Sequence, residues 1–161
     1  MMHRTRKRTS IIAGVLFSAV LPMPIVHADQ AADQQANQTA TFGDVVVRYS
    51  AISTNQLFPE VAKSYGIQRS SRNGLVNIAV QKKDDSDIPQ LISAMVSGNV
   101  GDLTGHPKPI AFRETKENGD VDYLGEFPLN GSGTYVFDIK VTLRGQTQPL
   151  VVKFNRDYVV D

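Results

Sequence analysis

Apolar and polar residues alternate along much of the chain, most cleanly over residues 134–154. Tyr135, Phe137, Ile139, Val141 and Leu143 fall on one side of this run, with Asp138, Lys140 and Thr142 between them. A period of two predicts a strand with one buried and one wet face. Leu150, Val152 and Phe154 repeat the pattern beyond Gly145-Gln146. Glycine in the first place of a two-residue turn predicts a type II′ hairpin. In that register Val141 faces Leu150, Ile139 faces Val152 and Phe137 faces Phe154, an all-apolar face. A slip of one residue would turn the whole set into water.

The same reading predicts strands over Val45–Ile52, with Val45, Val47, Tyr49 and Ala51 on one side, and over Leu75–Lys82, with Leu75, Asn77 and Ala79 opposed to Val76, Ile78 and Val80. Ile67–Arg72 is a strand candidate of mixed character. Leu91–Val96 predicts another strand, continuing past Gly98 to Leu103 with a bulge or bend at the glycine. Asn118-Gly119 lies between Ile110–Lys116 and Val121–Phe127, and Asn-Gly between alternating runs is a strong hairpin signal. It sets Phe112 opposite Gly125, Glu114 opposite Tyr123 and Ile110 opposite Phe127. Leu57–Gly66 breaks the strand pattern and predicts a short helix near residues 59–65. Pro59 suits its first position, Glu60 complements the helix dipole and Gly66 suits the left-handed residue that ends it.

Seven or eight short strands with one short helix predict an all-β, antiparallel, immunoglobulin-like β-sandwich. A closed antiparallel barrel is the competing architecture. Gly133-Thr134-Tyr135 at a strand start matches the corner tyrosine of immunoglobulin-like folds. Length fits one domain, here residues 42–161 after a Gln- and Ala-rich flexible polar tail at 29–41.

The first 28 residues alter the reading of charge. His3–Ser10 is basic, Ile11–Leu21 is apolar, and Val26-His27-Ala28 presents residues that signal peptidase accepts. This predicts a secretory signal cleaved after Ala28, its apolar run falling well short of the ~20 residues of a spanning helix. Four of the 17 basic residues lie in it with no acid, so residues 29–161 carry 13 bases against 16 acids, a net of −3. The expected product is periplasmic, with no membrane span after cleavage. Its acidity argues against a nucleic-acid partner, which needs clustered Lys and Arg. No cysteine is present, which removes disulfides, thiolate catalysis and Cys-ligated metal.

Candidate chemistry is sparse. His106 is the only histidine beyond the leader and reads as a solvated loop residue. Asp84, Asp85 and Asp87 cluster in one turn but lack the spacing of a calcium loop. Glu114, Glu117, Asp120 and Asp122 surround a hairpin tip, where charge protects a sheet edge. No nucleophile elbow, phosphate loop or dinucleotide fingerprint occurs. No catalytic residue, metal site or cofactor is therefore assigned. Tyr65, Arg69, Arg72, Asn73 and Asn77 form the candidate binding set, because guanidinium groups recognise carboxylates bidentately. The competing reading is that they satisfy backbone groups where the helix interrupts the sandwich.

The run Leu57–Ile67, with Arg69-Ser70, Arg72-Asn73-Gly74 and Leu75–Val80, resembles an uncharacterised family of gram-negative exported proteins, the domain-of-unknown-function family numbered 4426. Its members share a signal peptide, a Pro-Glu-Val-Ala helix, an Arg-Ser/Asn-Gly-Leu stretch and a closing strand pair, here over roughly Phe42 to Val159. The resemblance implies an exported single-domain β-sandwich and no activity, so no functional residues are carried over. The leading expectation is a non-catalytic binding or interaction module of the cell envelope, meeting an unknown protein or a small anionic ligand. An envelope accessory or assembly factor without a small-molecule site, or a hydrolase-type enzyme, are the rivals.

Overall fold

The computed structural model describes residues 38–83, 90–117 and 119–160. The leader and its cleavage point, the Asp84, Asp85 and Asp87 turn, and Asn118 lie outside the described residues. The chain is an all-β sandwich of two antiparallel sheets. Its strands are β1 Gln38–Phe42, β2 Val45–Ser53, β3 Asn73–Lys82, β4 Gln90–Leu91, β5 Ala94–Asp102, β6 Lys108–Ile110, β7 Phe112–Glu117, β8 Asp120–Pro128, β9 Gly133–Leu143 and β10 Leu150–Tyr158. One sheet runs β1-β2-β3-β8-β7, with β4 also paired to β3, and the other runs β10-β9-β5-β6. Among the described residues both sheets keep free edges, so the barrel alternative does not hold. Residues 38–41, read from composition as tail, are strand: Gln38 pairs with Tyr49 and Phe42 with Val45. Ala40 and Phe42 pack on the core, and pairing with β2 overrides the weak local signal.

The pairings expected from side-chain alternation are present. Val141 pairs with Leu150, Ile139 with Val152 and Phe137 with Phe154. The hairpin tip differs from expectation. Gln146 N–H donates to Leu143 C=O at 3.0 Å, which makes Gly145, at φ 81°, the third residue of the turn rather than the first of a type II′ pair. Phe112 faces Gly125 and Glu114 faces Tyr123. Ile110, however, pairs with Gly98 in the other sheet, because the run 110–116 is divided at Ala111. Its two halves still aim Ile110 and Phe112 into one core. The run 91–103 divides similarly: β4 pairs with β3, whereas β5 pairs with β9. Its register on β9 is unbroken from Ala94 to Asp102, with no bulge at Gly98. The two divisions are where the chain changes sheet, and with the added β1 they account for the higher strand number.

Between the sheets, Phe137 stacks on Phe154 with ring centres 4.5 Å apart and planes 5° apart. Phe127 meets Phe137 edge-on at 5.1 Å, and Tyr49 lies 4.6 Å from Phe154. Val47, Val76, Ile78, Val80, Ile139 and Val141 are fully buried around them. Each such side chain contributes about 1.5–3 kcal/mol of burial. Tyr135 forms the expected corner. Its hydroxyl accepts from Asn130 N–H at 2.9 Å and Gly131 N–H at 3.3 Å, and donates to Gly131 C=O at 3.1 Å.

Residues 54–72 leave the first sheet and return across its outer face. They contain a 3₁₀ turn, Thr54–Gln56, and helix α1, Pro59–Ser64. Proline occupies the first turn. Gly66 N–H donates to Lys63 C=O and Ile67 N–H to Ala62 C=O, with Gly66 at φ 65°, the Schellman ending. Ile67–Arg72 is irregular rather than a strand. Its backbone is held instead by buried Thr54, whose hydroxyl accepts from Ser70 N–H at 2.9 Å and lies 3.0 Å from Gln68 C=O. Ile67 closes over Leu75 and Leu124, forming a small second core with Ile52, Leu57 and Tyr65 on the outer face.

Candidate functional site

Strand alternation places a second set of side chains on the outer face of the first sheet. The register aligns Ser50, Asn77 and Leu124 in one cross-strand row, and Arg48, Ala79 and Asp122 in the next. Gln81 and Leu91 share the row beyond. The excursion 54–72 covers Leu75 and the Leu124 end of the first row but leaves the rest of these rows open. What remains is a groove of about 510 Å³ lined by Arg48, Ser50, Asn77, Ala79, Gln81, Leu91, Asp120 and Asp122 among others. Ala79 forms its shallow floor between a guanidinium on β2 and a carboxylate on β8.

One polar side-chain atom at this groove is buried without a partner. Asn77 Oδ1 is buried and has no hydrogen-bond partner. Leaving a buried acceptor unmatched costs about 1–3 kcal/mol, and such groups are rare in folded proteins. The ion pairs of the described residues are Lys82–Asp44, Lys116–Glu114 and Lys153–Asp138. Arg48, Asp120 and Asp122 take part in none of them.

The candidate residues taken from sequence are dispersed by the fold. Asn77 lies in the groove. Tyr65 stands beside it, donating its hydroxyl to Glu117 Oε2 at 2.6 Å and accepting at its C=O from Arg113 Nη2 at 2.6 Å. The bond to Glu117 is the main reason that the phenol is pushed up to about 12, with burial and nearby negative charge adding to it. Arg69 Nη2 donates to Asn55 C=O at 2.7 Å inside the excursion. Arg72 uses its backbone, donating to Ser70 Oγ and accepting from Leu129 N–H. Asn73 opens β3 opposite Pro128. Arg69 and Arg72 are absent from the groove lining. Arg48, Ser50 and Gln81 were not singled out by sequence, and Asp122 was read only as one of the charges around a hairpin tip. They occupy wet-face positions of predicted strands, but only the β2–β3–β8 pairing makes them neighbours.

A second, smaller hollow of about 240 Å³ contains Asp102, His106, Lys108, Asn130 and Tyr135. Asp102 there accepts from Thr104 N–H and Oγ1, which holds its carboxyl below the ordinary value. His106 is exposed. Among the described residues no group of three or more His, Asp or Glu is arranged to hold a metal ion, and no helix is long and apolar enough to cross a membrane.

Comparison with known proteins adds to this geometry. The family described as domain of unknown function DUF4426 matches residues 39–161. A crystal structure of a DUF4426 family protein from Pseudomonas aeruginosa PAO1 is 34% identical, with 79% of this chain and 98% of that one covered at a TM-score of 0.66. FetP of uropathogenic Escherichia coli strain F11, expressed recombinantly in the periplasm, superposes at a TM-score of 0.57 with 12% identity over 78% of this chain and 95% of its own. A copper-bound variant of FetP does so over 97% of its own length. At that identity the likeness is one of fold alone. No curated protein matches the sequence. With its match extending from the first described strand to the last residue, the chain belongs to the DUF4426 family of proteins of unknown function.

Proposed function

We propose that the protein is an exported, periplasmic, non-catalytic binding module whose small polar ligand occupies the groove on the outer face of the first sheet. The observation that carries this reading is Asn77 Oδ1, a buried acceptor without a partner at a concave site. A ligand N–H would satisfy it once the Asn77 amide turns toward the groove that this residue lines. The groove lining contains no histidine, and its two carboxylates, Asp120 and Asp122, are assigned as ligand contacts beside Arg48; binding is the chemistry proposed for it.

Thermal unfolding with a panel of solutes tests the reading. The panel comprises trialanine, glutamate, succinate, glucose and putrescine, applied to the wild type and to Asn77→Leu. Because the amide oxygen has no protein partner, the leucine variant should fold with unchanged or slightly higher stability. At least one solute is expected to raise the wild-type Tm by several degrees through preferential binding to the native state, and to leave the variant unmoved. No shift with any solute, or equal shifts in both proteins, would overturn the groove as a binding site. Export is checked separately by N-terminal sequencing from a gram-negative host. A mature chain starting at Asp29 in the periplasmic fraction is expected, and an intact leader on cytoplasmic protein would contradict it.

A further inference from the structure

We propose that the groove recognises a short peptide with free termini, its carboxylate held by Arg48 and its ammonium by Asp122 and Asp120. The inference rests on the groove being the ligand site and adds the identity of what it takes. Arg48 and Asp122 are in one cross-strand row with Ala79 between them. They are separated by two strand spacings, about 9.6 Å between Cα atoms at roughly 4.8 Å per strand. They make no ion pair with each other or with the Lys–acid pairs of the described residues. A ligand with opposite charges at its two ends matches such a bipolar trough.

Size narrows the choice. An α-amino acid carries its ammonium and α-carboxylate on one carbon, a separation much shorter than the roughly 9.6 Å between the Cα atoms of the two walls. An extended peptide advances about 3.3–3.6 Å per residue, so two or three residues bridge the gap once the side chains reach inward. The groove, about 510 Å³, falls in the range that encloses small ligands, roughly 300–1,000 Å³. Charge points the same way. One guanidinium against two carboxylates gives the lining a net negative charge, which disfavours a simple anion and suits a zwitterion or a peptide with an added basic residue. Arg48 supplies a planar fork for the terminal carboxylate. Asn77, on the groove lining, offers its side-chain amide to the peptide backbone by turning toward the groove, and Ser50 and Gln81 remain for the other backbone groups. Ala79 keeps the floor low enough for a main chain to lie across it.

Calorimetry of the full chain with trialanine, N-acetyl-trialanine and trialanine amide tests the inference, using the wild type, Arg48→Gln and Asp122→Asn. Blocking either terminus is expected to weaken wild-type binding at least tenfold. The two substitutions should act selectively: Arg48→Gln should bind the free acid and the amide equally, and Asp122→Asn should bind the free and acetylated amines equally. Both residues are on a wet strand face, and circular dichroism should show both variants folded. Undetectable binding of trialanine to the wild type at millimolar concentration, or equal affinity for blocked and free peptides, overturns the peptide assignment. The two proposals fail separately: a shift by succinate or glucose that Asn77→Leu abolishes would retain the groove as a site while excluding a peptide as its ligand.

Discussion

The Tyr65 hydroxyl donates to a Glu117 carboxylate oxygen at 2.6 Å, joining the end of the helical excursion to the edge strand β7. The tie is doubled by Arg113 Nη2, which donates to the Tyr65 carbonyl. Together these bonds fasten one side of the excursion. The opposite side is fastened by Thr54 through Gln68 and Ser70. A six-residue helix is too short to persist alone in water, so these bonds and the small core of Ile67, Leu75 and Leu124 hold it.

Tyr65→Phe removes the bond to Glu117 and should lower stability by about 0.5–1.5 kcal/mol, measured by urea unfolding. The wild-type contribution also depends on pH. The Tyr65 phenol is raised from 10.0 to about 12, chiefly because it donates to Glu117. The contribution is therefore complete below pH 10, declines as pH rises through this window, and is lost once the folded-state phenol ionises. Ultraviolet titration of tyrosinate should show a component near pH 12 that Tyr65→Phe lacks. Identical titration curves would contradict the assignment.

Tyr135→Phe should cost more, about 1–3 kcal/mol. The substitution keeps the ring, which is edge-on to Tyr158 at 5.4 Å. It strips the acceptor from Asn130 and Gly131 N–H groups and the donor from Gly131 C=O. Chemical denaturation should show the loss, and amide exchange should locate it at residues 130–133.

Two glycines predict contrasting costs. A Cβ on Gly74 would lie 2.1 Å from Phe127 Cζ, at a buried position where β3 pairs with β8. Gly74→Ala should therefore cost about 1–3 kcal/mol by overpacking, and Phe127→Leu added to it should recover part of that loss. Gly66 meets nothing within 4 Å, but has φ +65°. Gly66→Ala should cost about 1–2 kcal/mol from the left-handed backbone alone, and no neighbouring truncation should relieve it. Double-mutant cycles separate the two mechanisms.

Glu114 sits exposed at the sheet edge on the core-side face of β7, opposite Tyr123, binding Lys116 at 2.8 Å and accepting from the Tyr123 hydroxyl at 3.1 Å. An inward charge on an edge strand opposes edge-to-edge association. Glu114→Val is expected to increase the sedimentation-detected oligomer fraction at high protein concentration, while a surface control, Lys153→Val, should not. Unchanged sedimentation would show that the carboxylate does not guard this edge.

Strand identity and register could be read from residue order because a pleated chain offers each side chain only two faces. Phe137 can meet Phe154, and Phe112 can meet Gly125, in one register that keeps both apolar sets dry. Gly66 was likewise informative, since a left-handed helix end is a local demand of the backbone. Sheet membership was beyond reach at Ala111 and at Ile92-Ser93: Ile110 and Phe112 continue one alternation whether the chain runs on or crosses over. The outcome depends on Ile110 finding Gly98 in the facing sheet and filling the space over Gly125, where a Cβ would lie 2.4 Å from its Cγ2. The groove followed the same division. Arg48, Asn77 and Asp122 each announced themselves as wet-face residues, but solvent exposure carries no information about neighbours. Long-range hydrogen-bonded pairing of β2, β3 and β8 brought them together, while backbone acceptors within the excursion drew Arg69 away.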